Sequence, residues 1–346
     1  MTRLHPSPAR RARAVFIFSL VALAVPGSAP AAAALSDDPE PGVYLRLLSG
    51  SSLDFEDASR RLEAALSAAG WTVDARLDAA VGQACAFRGR VIVAHLPSLA
   101  DRLLASGPHA AFALPVRFVV WEDETGVGVG ATNPMNLFRT IVDEETSPSD
   151  WADVADRIRA VGRAAFPGAA AEGEYGQRRG NARIGRTMGI MAGGPFVGKL
   201  KEVVTQPAAG ASAASVANRL RDAMVTAGAG EWGIRAVYVI PVPGRDMALL
   251  GVTGSGMEER SFSIVRHGGA DARKDMACPG VDHAAAYPIE VSVAVVDGEL
   301  QVRLVDVMYR MKMFFEDAGK MAFAKNMGMP GSIEDEIKDK IRAVLR

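Results

Sequence analysis

Apolar and polar positions alternate in two rhythms along this chain, and the rhythm changes at glycines and prolines. Residues 43–48 (Val-Tyr-Leu-Arg-Leu-Leu) alternate as a strand does. Phe55, Ala58, Leu62, Ala65, Leu66 and Ala69 then recur at helical spacing, which predicts a helix over 55–69. Ser52 or Asp54 can cap its start, Glu56 and Asp57 suit its positive end, and Gly70 stops it. The pattern further predicts strands over 71–77 and 90–95, a short helix over 99–104, and a β-hairpin over 113–132. Helices over 134–142 and 151–165 follow. From 167 to 194 the periodicity dissolves into Gly, Ala and Arg, the texture of a linker. A strand over 199–204 and a helix over 212–227 come next. A second hairpin starts at 287, and helices over 307–325 and 333–345 close the chain. Ser332 with Asp335 and Glu336 reads as the capped start of the last helix.

The two halves echo each other. Leu114-Pro115 opens the first hairpin and Tyr287-Pro288 the second, and Pro115 to Met135 spans the same 20 positions as Pro288 to Met308. Residues 58–70 align with 216–228 without a gap, sharing Arg61/Arg219, Leu62/Leu220, Ala65/Ala223, Ala69/Ala227 and Gly70/Gly228. From Gly70 to Pro115 is 45 positions and from Gly228 to Pro288 is 60, so the second copy carries 15 extra residues. The Gly-rich stretch over 268–282 is expected to hold most of them as a loop. An internal repeat decides architecture. Each copy reads strand, helix, strands, hairpin, helices. The expected fold class is therefore α+β: two related domains, each a largely antiparallel sheet with helices packed on one face. The expected bounds are 43–168 and 195–346, joined by a linker over 169–194.

Residues 1–34 have the pattern of a secretory signal peptide. Arg3, Arg10, Arg11 and Arg13 precede an apolar run over 14–25, and small residues over 29–34 offer cleavage sites. That run is too short for a bilayer, which takes about 20 helical residues. No membrane span is expected after cleavage, and the location is periplasmic or secreted. The whole chain of 346 residues carries a formal net charge of -1, and losing four Arg brings it to about -5. Neither this charge nor any basic stripe suits nucleic acid. Two cysteines, Cys85 and Cys278, are expected to be separate thiols.

Val91-Ile92-Val93-Ala94, Pro97, the Leu99–Leu104 segment, Ala111-Phe112-Ala113-Leu114-Pro115, Val119-Val120-Trp121-Glu122-Asp123, Gly126 and Asn133-Pro134 together resemble the family called domain of unknown function 302. The resemblance covers most of residues 43–145. The second copy is divergent: it lacks the Trp-Glu-Asp and has Asp306-Val307 in place of Asn-Pro. The resemblance implies a small α+β domain that often associates with itself, and it implies no activity or catalytic residue.

Met308, Met311, Met313, Met321, Met327 and Met329 crowd into 22 residues. Thioethers suit Cu(I), but they also fill irregular cores and association surfaces. Met308 and Met311, with His109, Trp121 and Asn133, are the ligand-binding candidates, placed in a groove between the copies. Cys278, His283 and His267 are the metal candidates, on one Gly-rich loop. No Gly-x-Ser-x-Gly, His-Glu-x-x-His or Walker lysine loop is present, and no catalytic residue is assigned. Gly126-Val127-Gly128-Val129-Gly130 lies within a hairpin and does not open a helix, so it is not a phosphate loop. The expectation is an exported, non-enzymatic ligand-binding or assembly module whose partner is a small molecule or a protein, a second copy of itself included. The alternative is a periplasmic metal- or haem-handling or redox protein using the Met-rich helix and the Cys278/His283 loop. The sequence names no cofactor.

Overall fold

A strand that is buried on both faces needs a layer on each side. Val116–Asp123 (β4) is such a strand, with Val116 to Trp121 buried throughout. The computed structural model describes residues 40–82, 85–142, 148–179, 193–226, 230–268 and 280–346. In it β4 lies inside a six-stranded antiparallel sheet with Gly42–Ser51 (β1), Thr72–Asp78 (β2), Gly89–His95 (β3), Gly126–Thr132 (β5) and Glu174–Arg178 (β6), in the order β2-β3-β4-β5-β1-β6. A second antiparallel sheet holds Leu200–Pro207 (β7), Arg235–Pro241 (β8), Met247–Thr253 (β9), Ile289–Val296 (β10) and Glu299–Val305 (β11), in the order β7-β11-β10-β9-β8. Read from its other edge, this is the first sheet without β6.

The likeness extends to register. Phe118 pairs with Ala131 across β4 and β5, and the positions shifted by the Pro115-to-Pro288 spacing, Val291 and Leu304, pair across β10 and β11. Pairing slips between Arg46 and Leu48 in β1, and likewise between Glu202 and Val204 in β7. It slips again between Val73 and Ala75 in β2 and between Ala236 and Tyr238 in β8. Such bulges bend and twist a strand at a defined residue. The four form two matched pairs, with one member of each pair in each sheet.

Phe55–Ala68 (α1) and Ala152–Ala165 (α4) pack on each other and cover one face of the first sheet. Asp54 caps α1, accepting from the amides of Glu56 and Asp57 at 2.8 and 3.2 Å. Ala100–Leu104 (α2) and Pro134–Val142 (α3) complete the first half. The opposite face of the sheet is covered by the second half. The 3-10 turn Val281–Ala286 lies on β3, β4 and β5, and Val307–Phe315 (α7) lies on β6. Residues 38–346 accordingly form one compact unit. The second half also contains Ala213–Thr226 (α5), Ser255–Gly268 (α6), Lys320–Lys325 (α8) and Met329–Leu345 (α9).

Several boundaries differ from the sequence reading. The helix expected over 307–325 breaks at Glu316–Ala318 and at Gly319, whose φ is 87°, a left-handed value that glycine tolerates. The last helix begins at Met329, with Pro330 in its first turn where a missing amide does no harm, so Ser332 is inside it and does not cap it. The expected linker contains β6, which pairs with β1. The extra length of the second half is not all loop, because α6 fills Ser255–Gly268 where the first half has only a short turn and α2. The segment 269–279 and the leader over 1–34 lie outside the described residues. Among the described residues no helix is long and apolar enough to cross a membrane.

The glycines of β5 serve ring packing. Trp121 lies opposite Gly128 on the neighbouring strand, and a Cβ at Gly128 would collide with the indole. A Cβ at Gly130 would collide with the Tyr175 ring, and one at Gly251 with the Tyr238 ring. Gly128→Ala and Gly251→Ala are each expected to destabilise the protein by about 1–3 kcal/mol through overpacking, measured by urea unfolding. Gly331→Ala, whose Cβ meets nothing within 4 Å, should be neutral or stabilising.

Candidate functional site

Sequence reading places His283 on a Gly-rich loop as a metal candidate, but it is fully buried in the 3-10 turn that covers the first sheet. Its Nδ1–H donates to Asp282 at 2.9 Å and its Nε2–H to Asp317 at 3.0 Å. Burial opposes a charge on the ring, yet the two carboxylates outweigh burial and hold its pKa up at about 9. At neutral pH the ring is therefore an imidazolium with both nitrogens engaged, a state that offers no lone pair to a metal.

Around it the two halves interlock. The His283 ring packs edge-on against Tyr44 at 5.1 Å and flat against Phe315 at 6.0 Å. Tyr44 stacks on Tyr175 at 4.9 Å, and Tyr175 donates to the Asp282 carbonyl at 2.8 Å. Burial, then the nearby Tyr175, Asp317 and Asp282, push the Tyr44 pKa well up. It remains a phenol and donates to the carbonyl of Phe314 on α7 at 3.2 Å. Arg179, buried just past β6, holds the same helix end, donating to the carbonyls of Lys312 and Met313 at 2.8 and 3.0 Å. A cation suits a helix C-terminus, where unsatisfied carbonyls accumulate.

Beside this cluster, Arg117 reaches out of β4. Its Nε donates to the carbonyl of Ala285 at 2.7 Å, and its Nη1 pairs with Glu290 on β10. Glu290 also accepts from Arg310 of α7 at 3.3 Å and from the Tyr238 hydroxyl at 3.2 Å. Arg310 donates to the carbonyl of Pro288 at 2.6 Å. Arg117, Glu290 and Arg310 are each at most 5% exposed. Two guanidiniums against one carboxylate leave a positive excess. The imidazolium between Asp282 and Asp317 leaves a negative one. Tyr44 lies within the field of Arg117 and of both aspartates.

The expected groove lined by the Met-rich helix is filled. Arg117 and Arg310 stack over the Phe314 ring at 5.0 and 4.7 Å, and Met311 is buried in the same core. Met308 is half-buried against that core, whereas Met321 and Met327 are exposed. Trp121 is buried, touches Tyr175 at 6.0 Å and donates to Asp123 at 3.0 Å. Asn133 is fully buried, donates to the carbonyl of Gly42 at 2.8 Å and accepts from the Met135 amide, so it starts α3. His109 is half-buried and donates to the carbonyl of Val142 at 3.0 Å. Of the five ligand candidates, Trp121 and Met311 belong to the junction, Met308 packs at the margin of its core, and Asn133 and His109 are tied to backbone carbonyls of the first half.

Cys85 is disulfide-bonded, which corrects the expectation of two separate thiols. Cys278 and the side chain of His267 lie outside the described residues. Among the described residues no group of three or more His, Cys, Asp or Glu side chains is arranged to hold a metal ion.

An open feature lies elsewhere in the second half. A cleft of about 500 Å³ is lined by Glu231 and Trp232 before β8, Arg260 of α6, Lys325 of α8, and Asn326 and Ser332 around the start of α9. Trp232 Nε1 donates to Ser332 Oγ at 2.9 Å, and the Ser332 hydroxyl donates to Glu231 at 3.1 Å. Arg260 donates to the amide oxygen of Asn326 at 2.8 Å. Glu336, one turn further along α9, accepts from the amides of Trp232 and Ile234 at 2.8 and 3.0 Å and fixes the loop that carries the indole. Sequence reading missed this cleft. Its one local signal is the helix-breaking run Gly328-Met329-Pro330-Gly331.

Residues 49–165 match the family model described as Domain of unknown function DUF302. This stretch is a DUF302 domain. An uncharacterized conserved DUF302 protein from Bacillus stearothermophilus, known from its crystal structure, is similar at 18% identity over 36% of this chain and 96% of its own, with a TM-score of 0.30. No curated protein matches the chain. The DUF302 domain contributes Arg117 and Trp121 to the junction, Tyr44 precedes the matched stretch, and Tyr175 follows it.

The raised His283 pKa has a pH signature. A group whose pKa rises on folding lends stability that is fully present below its unfolded value of 6.5 and is lost as the pH climbs through about 9. The advantage of the wild type over His283→Gln in urea unfolding is expected to shrink by roughly 3 kcal/mol between those limits. A constant advantage across that window would show that His283 is not held as an imidazolium.

Proposed function

We propose that this chain is an exported binding or assembly module built from two copies of one α+β unit, and that its ligand is a small anion held in the cleft at the start of α9. The observation that carries the ligand class is the charge of that cleft. Lys325 has no ion-pair partner among the described residues, and Arg260 bonds to a neutral amide. Arg260 and Lys325 outnumber the one carboxylate of the lining, Glu231, which accepts from Ser332. That excess of one positive charge attracts an anionic group, and the Trp232 and Met329 side chains suit an apolar portion of the same molecule.

Duplication is supported by the shared strand order and by the two matched pairs of bulges. Export is supported by the leader pattern of residues 1–34 and by the bonded Cys85, since disulfides persist in oxidising compartments. The buried junction of the two halves serves as scaffold in this reading. No specific observation among the described residues favours the metal, haem or redox alternative.

Thermal and urea unfolding of the mature protein with inorganic phosphate and with citrate test the cleft. A binding anion at 100 times its Kd should add about 2.7 kcal/mol to stability. Lys325→Glu should remove that gain and leave ligand-free stability within about 0.5 kcal/mol, because the residue is exposed. If neither anion stabilises the wild type, or if Lys325→Glu responds equally, the cleft is not the site.

A further inference from the structure

Arg117 and Glu290 are separated by 173 residues, and so are Pro115 and Pro288, the residues that open the two hairpins. They are thus the same position in the two copies, and they touch. When two like units pair about a twofold axis, a residue facing its own equivalent marks the axis. A second contact agrees: β2 and β8, which occupy the same place in their sheets, lie against each other. At these two places equivalent positions of the halves meet, as they would about the axis of a symmetric dimer, and Arg117 against Glu290 is a position altered in sign between the copies. The turn over 281–286 covers β3, β4 and β5, and among the described residues no turn of the first half covers the second sheet in the same way.

We propose that Arg117 and Glu290 form a charge lock that commits each half to the other and prevents either half from pairing with a copy of itself. This rests on the duplication and is independent of the ligand cleft. In the wild-type pairing, Arg117 meets Glu290, which Arg310 and the Tyr238 hydroxyl also contact. A first half paired with another first half would bring two buried Arg117 guanidiniums together. A second half paired with another second half would bring two Glu290 carboxylates together, each keeping Arg310 of its own half but losing the contact with Arg117. Like charges facing each other away from water are strongly disfavoured, and such repulsion is how an interface rejects the wrong partner. The partner that this surface fits is the complementary half of the same chain, and the expected solution state is a monomer.

Charge exchange in the full mature chain tests the lock. Arg117→Glu leaves two carboxylates and Arg310 at the site, and Glu290→Arg leaves three guanidiniums. Each is expected to lower the folding equilibrium constant at least 100-fold in urea unfolding. The double variant Arg117→Glu/Glu290→Arg restores the wild-type count of charges and should recover to within about tenfold of wild type. A double variant no more stable than the worse single one would overturn the lock. A further readout separates partner choice from ordinary stabilisation. When the two single variants are unfolded, mixed in equal amounts and refolded, exchange of halves gives each junction one Glu facing one Arg. The mixture is then expected to sediment as a folded dimer that neither variant forms alone, even if each alone fails to fold. A mixture that behaves as the sum of its parts, or a wild type that is itself dimeric, would refute the proposal.

Discussion

Neutralisation of charge removed from water at the junction of the two halves is the constraint on which the rest of the structure depends. Arg117, Glu290 and Arg310 are almost wholly buried, and His283 is wholly so. An ion taken out of water loses several kcal/mol of hydration even after relaxation, and only close partners return it. Each of these ions has at least one partner on a different element. Arg117 comes from β4 and Glu290 from β10. Arg310 comes from α7, and His283 comes from a turn between strands. Removing one partner would leave the others uncompensated, at roughly 3–5 kcal/mol. The first sheet thus cannot expose its inner face without stranding charge as well as apolar surface.

The same junction explains features that would otherwise look unrelated. Alternate glycines in β5 leave room for the Trp121 and Tyr175 rings on the face that meets the second half. Tyr44 and Arg179 bind backbone carbonyls at the end of α7, so the first half anchors the helix that carries Arg310. Rings, glycines and cations form one continuous layer between the first sheet and α7. Such a layer is closed to solvent and its Tyr44 stays protonated. This suits a rigid scaffold better than a binding surface, and the proposed ligand cleft is formed by other elements, α6, α8 and α9.

Much of the fold was legible in the chain, and the reasons are local. The α1 helix shows its apolar stripe, its Asp54 cap and its terminal Gly70 within a few turns. Both hairpins show alternating residues around a turn glycine. The repeat placed equivalent hairpins at equal spacing, which the strand registers then match. The misread places all depended on distant residues. Ser332 looked like a helix cap, but it sits one turn inside α9, bonded to Glu231 and Trp232 about a hundred positions earlier. The helix predicted through Gly319 broke there. The β6 strand was invisible in a Gly- and Arg-rich segment because its pairing partner, β1, lies more than a hundred residues away.

The sequence by itself determined the class of fold, the order of elements and the existence of two matching units, because periodicity and spacing are properties of neighbours along the chain. It also held the opposite signs of Arg117 and Glu290, but not their meeting. Only the tertiary structure decided that these positions face each other, that His283 is a buried cation between Asp282 and Asp317, and that the methionine helix is largely core. Burial and charge pairing are set by which surfaces close on each other in space. The turn that seats His283 is placed by β3, β4 and β5, all of them far away in the chain.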